Sequence, residues 1–131
     1  MKTLLLILLL VPMMSFGQNV NIPDANFKNY LVNNSAINTN GDSEIQVSEA
    51  SAYTGPIYCN GLGIIDLTGI EAFNALTGLI CNDNLLGSLD LSSCPALTVL
   101  HCQNNFIGGL DFANNASLVE IFCSDNYISY M

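Results

Sequence analysis

From residue 57 onward, apolar side chains return along the chain at a fixed long interval. Leu76, Leu79, Cys81, Leu86, Leu89 and Leu91 are answered 21 residues later by Leu97, Leu100, Cys102, Ile107, Leu110 and Phe112. A further copy begins Leu118, Ile121, Cys123, Ile128, and an earlier, looser one reads Ile57, Cys59, Ile64, Leu67 at a period of 22. Such a period is far longer than that of a single helix or strand. It marks one structural unit repeated, whose turn of chain cannot bury its apolar side alone and stacks on its neighbours. Within each unit the residues around the cysteine alternate, which predicts a short strand with Leu79, Leu100 and Ile121 facing inward. Strands stacked in register pair in parallel, about 4.7–4.9 Å apart.

An asparagine keeps its place in three copies, as Asn84, Asn105 and Asn126, while Leu62 stands there in the first. At the point where the chain turns off the strand, an inward carboxamide can satisfy buried backbone groups that no neighbouring strand reaches. The template Leu-x-x-Leu-x-Cys-x-x-Asn-x-Leu resembles that of leucine-rich repeats. The resemblance implies an α/β solenoid: a short stack of parallel strands with irregular convex returns. The repeats read as 54–75, 76–96, 97–117 and an incomplete 118–131.

Residues 18–53 do not follow the repeat and read as a helical N-terminal cap. "NIPDANFKNYLVNN" predicts a short helix capped by Asp24, with Phe27, Tyr30 and Leu31 on one face. A second helix is expected over 47–53. Between them, Asn38, Asn40, Asp42, Glu44 (through its carbonyl) and Glu49 fall at positions 1, 3, 5, 7 and 12 of a calcium loop of the EF-hand type. Asn38 replaces the usual aspartate, and Ser43 stands where the sharp turn favours glycine. Two readings are open: a calcium-binding loop, or the polar loop of a helix–loop–helix lid over the end of the solenoid. No other cofactor is indicated.

The spacing of the cysteines bears on their chemistry. Cys59, Cys81, Cys102 and Cys123 occupy one repeated position, which points to a buried, reduced column rather than a disulfide framework. Side chains parallel and in register are poorly aimed for the S–S dihedral, and thiolates in a line do not converge on a metal. Cys94 falls in a return segment and is expected to be packed.

"MKTLLLILLLVPMMSFGQ" opens with Lys2 and an apolar run over 4–11, and offers small Ser15 and Gly17 before Gln18. That is the pattern of a secretory signal over 1–17, too short to span a bilayer. Its removal leaves Lys28 as the sole basic residue among 11 acidic ones. Such a charge balance repels phosphate backbones and anionic lipid, so nucleic acid and membrane insertion are excluded as expectations.

"IPDANFKNYL" and "INTNGDSEIQVSEA" ahead of "LTxLxCxxNxLxxLD" repeats resemble exported leucine-rich repeat proteins of the Bacteroidota type. The cap is similar to the EF-hand-like cap of internalins. The resemblance implies a secreted or cell-surface binding or adhesion module, expected to be a monomer, with a protein or glycan partner. The pattern stops inside a repeat at Met131, so a piece of a longer surface protein without independent function is the other expectation.

The outward strand positions of such a stack form three columns: Pro56, Gly78, Val99 and Glu120; Tyr58, Ile80, His101 and Phe122; Asn60, Asn82, Gln103 and Ser124. The second column is apolar and aromatic and the third is rich in amides, suiting contact area and directed hydrogen bonds. The ligand-binding candidates are therefore Tyr58, Asn60, Ile80, Asn82, His101, Gln103, Phe122 and Ser124. His101, Glu120 and Ser124 nominally supply the base, orienter and nucleophile of a hydrolase. An open sheet without a pocket or oxyanion motif speaks against it, and a non-enzymatic role is expected. Asp90 and Asp111, 21 residues apart on the other face, read as a solvated edge or a weak cation site.

Overall fold

The computed structural model describes residues 17–131. Apart from Gly17, the segment read as a secretory signal lies outside the described residues. Four three-residue strands, β1 (Pro56–Tyr58), β2 (Gly78–Ile80), β3 (Val99–His101) and β4 (Glu120–Phe122), form one parallel sheet in chain order. Ile57, Leu79, Leu100 and Ile121 are register partners along the stack. The register advances with the repeat, and this is why the columns align. Ile57, Leu79 and Leu100 are fully buried, as are Cys59, Cys81 and Cys102 two positions on. Leu91, Cys94, Leu97 and Leu110 belong to the same buried core. On the outer edge of the stack, Val119 is 85% exposed and Ile121 39%, because β4 is the last strand of the sheet among the described residues.

The asparagine ladder binds successive rungs together. Asn105 Nδ2 donates to the Cys81 and Cys102 carbonyls at 3.1 and 3.0 Å, while its Oδ1 accepts from the Leu86 N–H at 3.0 Å. Asn84 does the same one rung earlier, donating to Cys59 and Cys81 and accepting from Leu62 and Ile64. Asn126 repeats the pattern on Cys102, Cys123 and Ile107. The residue before each ladder asparagine takes the left-handed turn: Asp83, Asn104 and Asp125 have φ of 58°, 55° and 56°. Asp and Asn tolerate that region better than other side chains that carry a Cβ.

Helices α1 (Ala25–Val32) and α2 (Val47–Ala52) make up the N-terminal lid. Asp24 holds two places at once. Its Oδ1 caps α1 through the Phe27 N–H at 2.9 Å, and its Oδ2 accepts from Ile65 N at 2.9 Å and Asp66 N at 3.3 Å in the first rung. Asp24 thereby satisfies first-rung donors just beyond the position where Leu62 replaces asparagine. Phe27 and Leu31 are fully buried, and Tyr30 reaches the sheet, its hydroxyl accepting from the Tyr58 N–H at 3.0 Å. Residues 18–20 run antiparallel to 45–47, with Val20 N donating to Ile45 O and Val47 N to Gln18 O, each at 2.8 Å. Gly69, at φ 108°, lets this segment pass close by. A Cβ there would come within 2.8 Å of Ile22 and 3.0 Å of the Asn21 carbonyl.

Candidate functional site

The concave face follows from the strand alternation. Tyr58 and Phe122 are 59% and 49% exposed, and Ile80 and His101 are half-buried between them. Asn60 and Ser124 are exposed, and Asn82 and Gln103 are half-buried beside the central column. In the first column, Gly78 is buried, and a Cβ there would lie 3.0 Å from the Pro56 side chain. At the β3–β4 end the face is knit across rungs. His101 Nε2 meets Glu120 Oε1 at 2.5 Å, and the imidazole packs against the Phe122 ring at 4.6 Å and 34°. Gln103 Oε1 is shielded from water and has no hydrogen-bond partner among the described residues. Glu120 is the one carboxylate in these columns, and Asp83 accepts from Asn82 Nδ2 beside them.

Of the nominal hydrolytic trio, the fold joins His101 to Glu120 but makes no hydrogen bond from Ser124 to either. A nucleophile is activated by a base within hydrogen-bond reach, and this arrangement lacks that contact. Asp90 and Asp111 each close a separate turn, accepting from Ser92 N at 2.9 Å and Ala113 N at 2.8 Å. The hydrogen bonds from Ser92 hold the Asp90 carboxyl below its ordinary value.

The loop over 38–49 is closed upon itself. Asn38 Nδ2 donates to the Val32 and Asp42 carbonyls, and its Oδ1 accepts from Gly41 N. Asp42 accepts from Glu44 N, Asn40 Nδ2 and Gln46 Nε2. Glu49 accepts from Thr39 and Asn40 through one oxygen, and from Gln46 N through the other in a capping box for α2. Lys28 pairs with Glu44 at 2.8 Å in a partly exposed ion pair worth little by itself. The side-chain oxygens of Asn38, Asn40, Asp42 and Glu49 thus each accept at least one hydrogen bond within the loop. No group of three or more His, Cys, Asp or Glu side chains is arranged for a metal among the described residues.

The cysteines are free, with Cys59, Cys81, Cys94 and Cys102 buried and Cys123 half-buried. Burial pushes the Cys59 thiol up to about 12. Cys102 is also pushed up to about 12, by burial and then by neighbouring Cys123. Cys81 is raised well above its ordinary value by burial, with Cys59 and Cys102 adding to it. Cys94 reaches about 11 by burial, with Asp90 and Glu71 contributing. Below the ordinary thiol value of 9.0, folded and unfolded chains both keep these protons. Above it the unfolded chain sheds protons that the folded chain retains, so stability is expected to fall as pH rises from 9.0 toward about 12. Thermal melts across that window check the sign. Iodoacetamide labelling at neutral pH should be slow for the buried thiols in the folded protein and fast in denaturant. Equal rates at Cys59, Cys81 or Cys102 in the two states would overturn the buried-column reading.

No family model and no curated protein matches the chain. Solved structures do. The functional domain of InlJ from Listeria monocytogenes, described as including a cysteine ladder, aligns with 88% of this chain and 28% of its own at 29% identity and TM-score 0.71. The internalin InlF from Listeria monocytogenes aligns with 89% of this chain and 35% of its own, at 22% identity and TM-score 0.74. The fold is an internalin-like leucine-rich repeat. A structure of the CBM51-2 and INT domains of Clostridium perfringens ZmpB aligns with 70% of this chain and 19% of its own, at 26% identity and TM-score 0.56. The chain therefore spans about a third or less of each of these solved chains. In leucine-rich repeat terms, Cys59, Cys81, Cys102 and Cys123 form one column on the core side of the sheet, and Tyr58, Ile80, His101 and Phe122 form another on the concave side. Among the described residues, no helix is long and apolar enough to cross a membrane.

Proposed function

We propose that the protein is an exported, non-catalytic recognition module that holds a protein or glycan partner against its concave face. The observation that carries this reading is the central column. Tyr58, Ile80, His101 and Phe122 point away from the core, so folding places no demand on them to be apolar or aromatic. They nevertheless form a nearly uncharged stripe in a chain of formal net charge −9. Asn60, Asn82 and Gln103 line that stripe with amides that can orient a partner by hydrogen bonds. Export rests on the N-terminal pattern of the sequence, and the lid over 18–53 is read as a structural cap.

The test is an array of extracellular proteins and glycans probed with wild type and with Phe122→Ala. A central aromatic anchor is expected to contribute about 1–2 kcal/mol or more, a loss of roughly tenfold or greater in affinity. Unchanged affinity in the variant would remove the concave face from the binding site.

A further inference from the structure

A second candidate surface lies on the lid. A cavity of about 520 Å³ opens beside α1, in the size range of small-molecule sites. Asn26, Asn29 and Asn33 line it, and steps of three and four residues place them on one helical face. Tyr30 and Leu62, the latter 40% exposed, add apolar surface, and Ser35 adds a hydroxyl. No acidic or basic side chain lines the cavity.

The hydrogen bonds already made there leave a defined set of free groups. Asn26 Nδ2 donates to the Gly63 carbonyl at 3.3 Å. Asn33 Nδ2 donates to the Asn29 carbonyl and to Asn29 Oδ1, at 2.8 and 3.0 Å. The Tyr30 oxygen accepts from Tyr58 N. Among the described residues, Asn26 Oδ1 and Asn33 Oδ1 remain as acceptors without a partner. Asn29 Nδ2 and the Tyr30 hydroxyl hydrogen remain as donors. We propose that this cavity binds a neutral saccharide, at a site separate from the concave face.

The reason is complementarity. A sugar hydroxyl both donates and accepts, as a mixed set of carboxamides and a phenol requires. Asn29 Nδ2 and Asn33 Oδ1, on neighbouring carboxamides, can serve two vicinal hydroxyls of a pyranose, while its C–H face covers Tyr30 and Leu62. An acidic glycan would find no cation in the cavity and would be repelled by the chain's net charge. An extended peptide is recognised by regular backbone pairing along a sheet edge, and the main chain of α1 is already engaged within the helix.

The experiment is an NMR titration of the chain, following backbone and Asn side-chain amide resonances. The probes are cellotriose, maltotriose and chitotriose, with trigalacturonate as the acidic counterpart. At least one neutral trisaccharide is expected to shift the Asn26, Asn29 and Asn33 side-chain signals with millimolar affinity or better. The double variant Asn29→Ala/Asn33→Ala should lose about tenfold or more. Both positions are exposed and alanine favours the helix, so the variant is expected to fold. Phe122→Ala should bind the sugar unchanged, which separates this site from the concave face. The proposal fails if no neutral probe shifts these signals at about 20 mM, above the millimolar affinity expected. It also fails if trigalacturonate binds as tightly, if the double variant binds like wild type, or if the shifts fall on Tyr58, His101 and Phe122 instead.

Discussion

Asn105→Ala is expected to destabilise the protein by about 3–5 kcal/mol, although it removes only a small polar side chain. Asn105 is 5% exposed and serves four backbone groups on two rungs, the longest bond being that to the Gln103 carbonyl at 3.3 Å. Its loss leaves the Leu86 N–H buried with no acceptor, a cost of about 1–3 kcal/mol. It also removes one donor each from the Cys81 and Cys102 carbonyls, at a net of about 0.5–1.5 kcal/mol apiece. Those carbonyls keep Asn84 and Asn126 as their other donors, which limits the damage. Asn105→Asp should be no better, since it keeps the acceptor for Leu86 but aims a carboxylate at two carbonyl oxygens. Asn126→Ala, on the half-buried outer rung, should cost only about 1–2 kcal/mol, because water can reach the groups it releases. Urea denaturation of the three variants gives the comparison. Equal losses at Asn105 and Asn126 would mean that burial does not set the strength of the ladder.

The second large effect separates inside from outside on a single strand pair. Leu100→Ala should destabilise by about 2–5 kcal/mol, because Leu100 is fully buried and the rungs above and below cannot collapse into the gap. Phe122→Ala deletes a larger side chain yet should change stability by no more than about 0.5 kcal/mol, since its ring faces solvent and touches only the His101 imidazole among aromatic groups. Denaturant midpoints of both variants decide the matter. If Phe122→Ala unfolds as readily as Leu100→Ala, the outward assignment of the central column is wrong, and the proposed recognition face falls with it.

Much of the lid was legible because its signals are local. Asp24 before an apolar helical face predicts a capped helix, and α1 starts at Ala25. The second helix, expected over 47–53, runs over Val47–Ala52 with Tyr53 as its C-cap. The loop between them was legible only as a row of oxygen-bearing side chains at the spacing of a calcium site. Which N–H groups those oxygens meet is not given by the spacing rule, which does not include Gln46. In the folded chain Gln46 donates to Asp42, accepts from Asn40, and presents its N–H to Glu49. The second role of Asp24, 41 residues from Ile65, leaves no mark in either local pattern. The pairing of Asn19 with Gln46 is hidden for the same reason.

What the sequence alone determined is the stack: its period, its register, its inward Leu and Cys columns, its asparagine ladder and its outward face. Equal steps along the chain become equal steps in space, so a repeated residue meets its own copy and pattern is enough to place it. The tertiary structure alone decided how the non-repeating lid sits on the first rung, how its loop closes, and where the amide-lined cavity of α1 opens. Those contacts join segments that share no period, so their partners are chosen by packing and by the need of each buried donor for an acceptor. Neither condition is written in the spacing of either segment by itself.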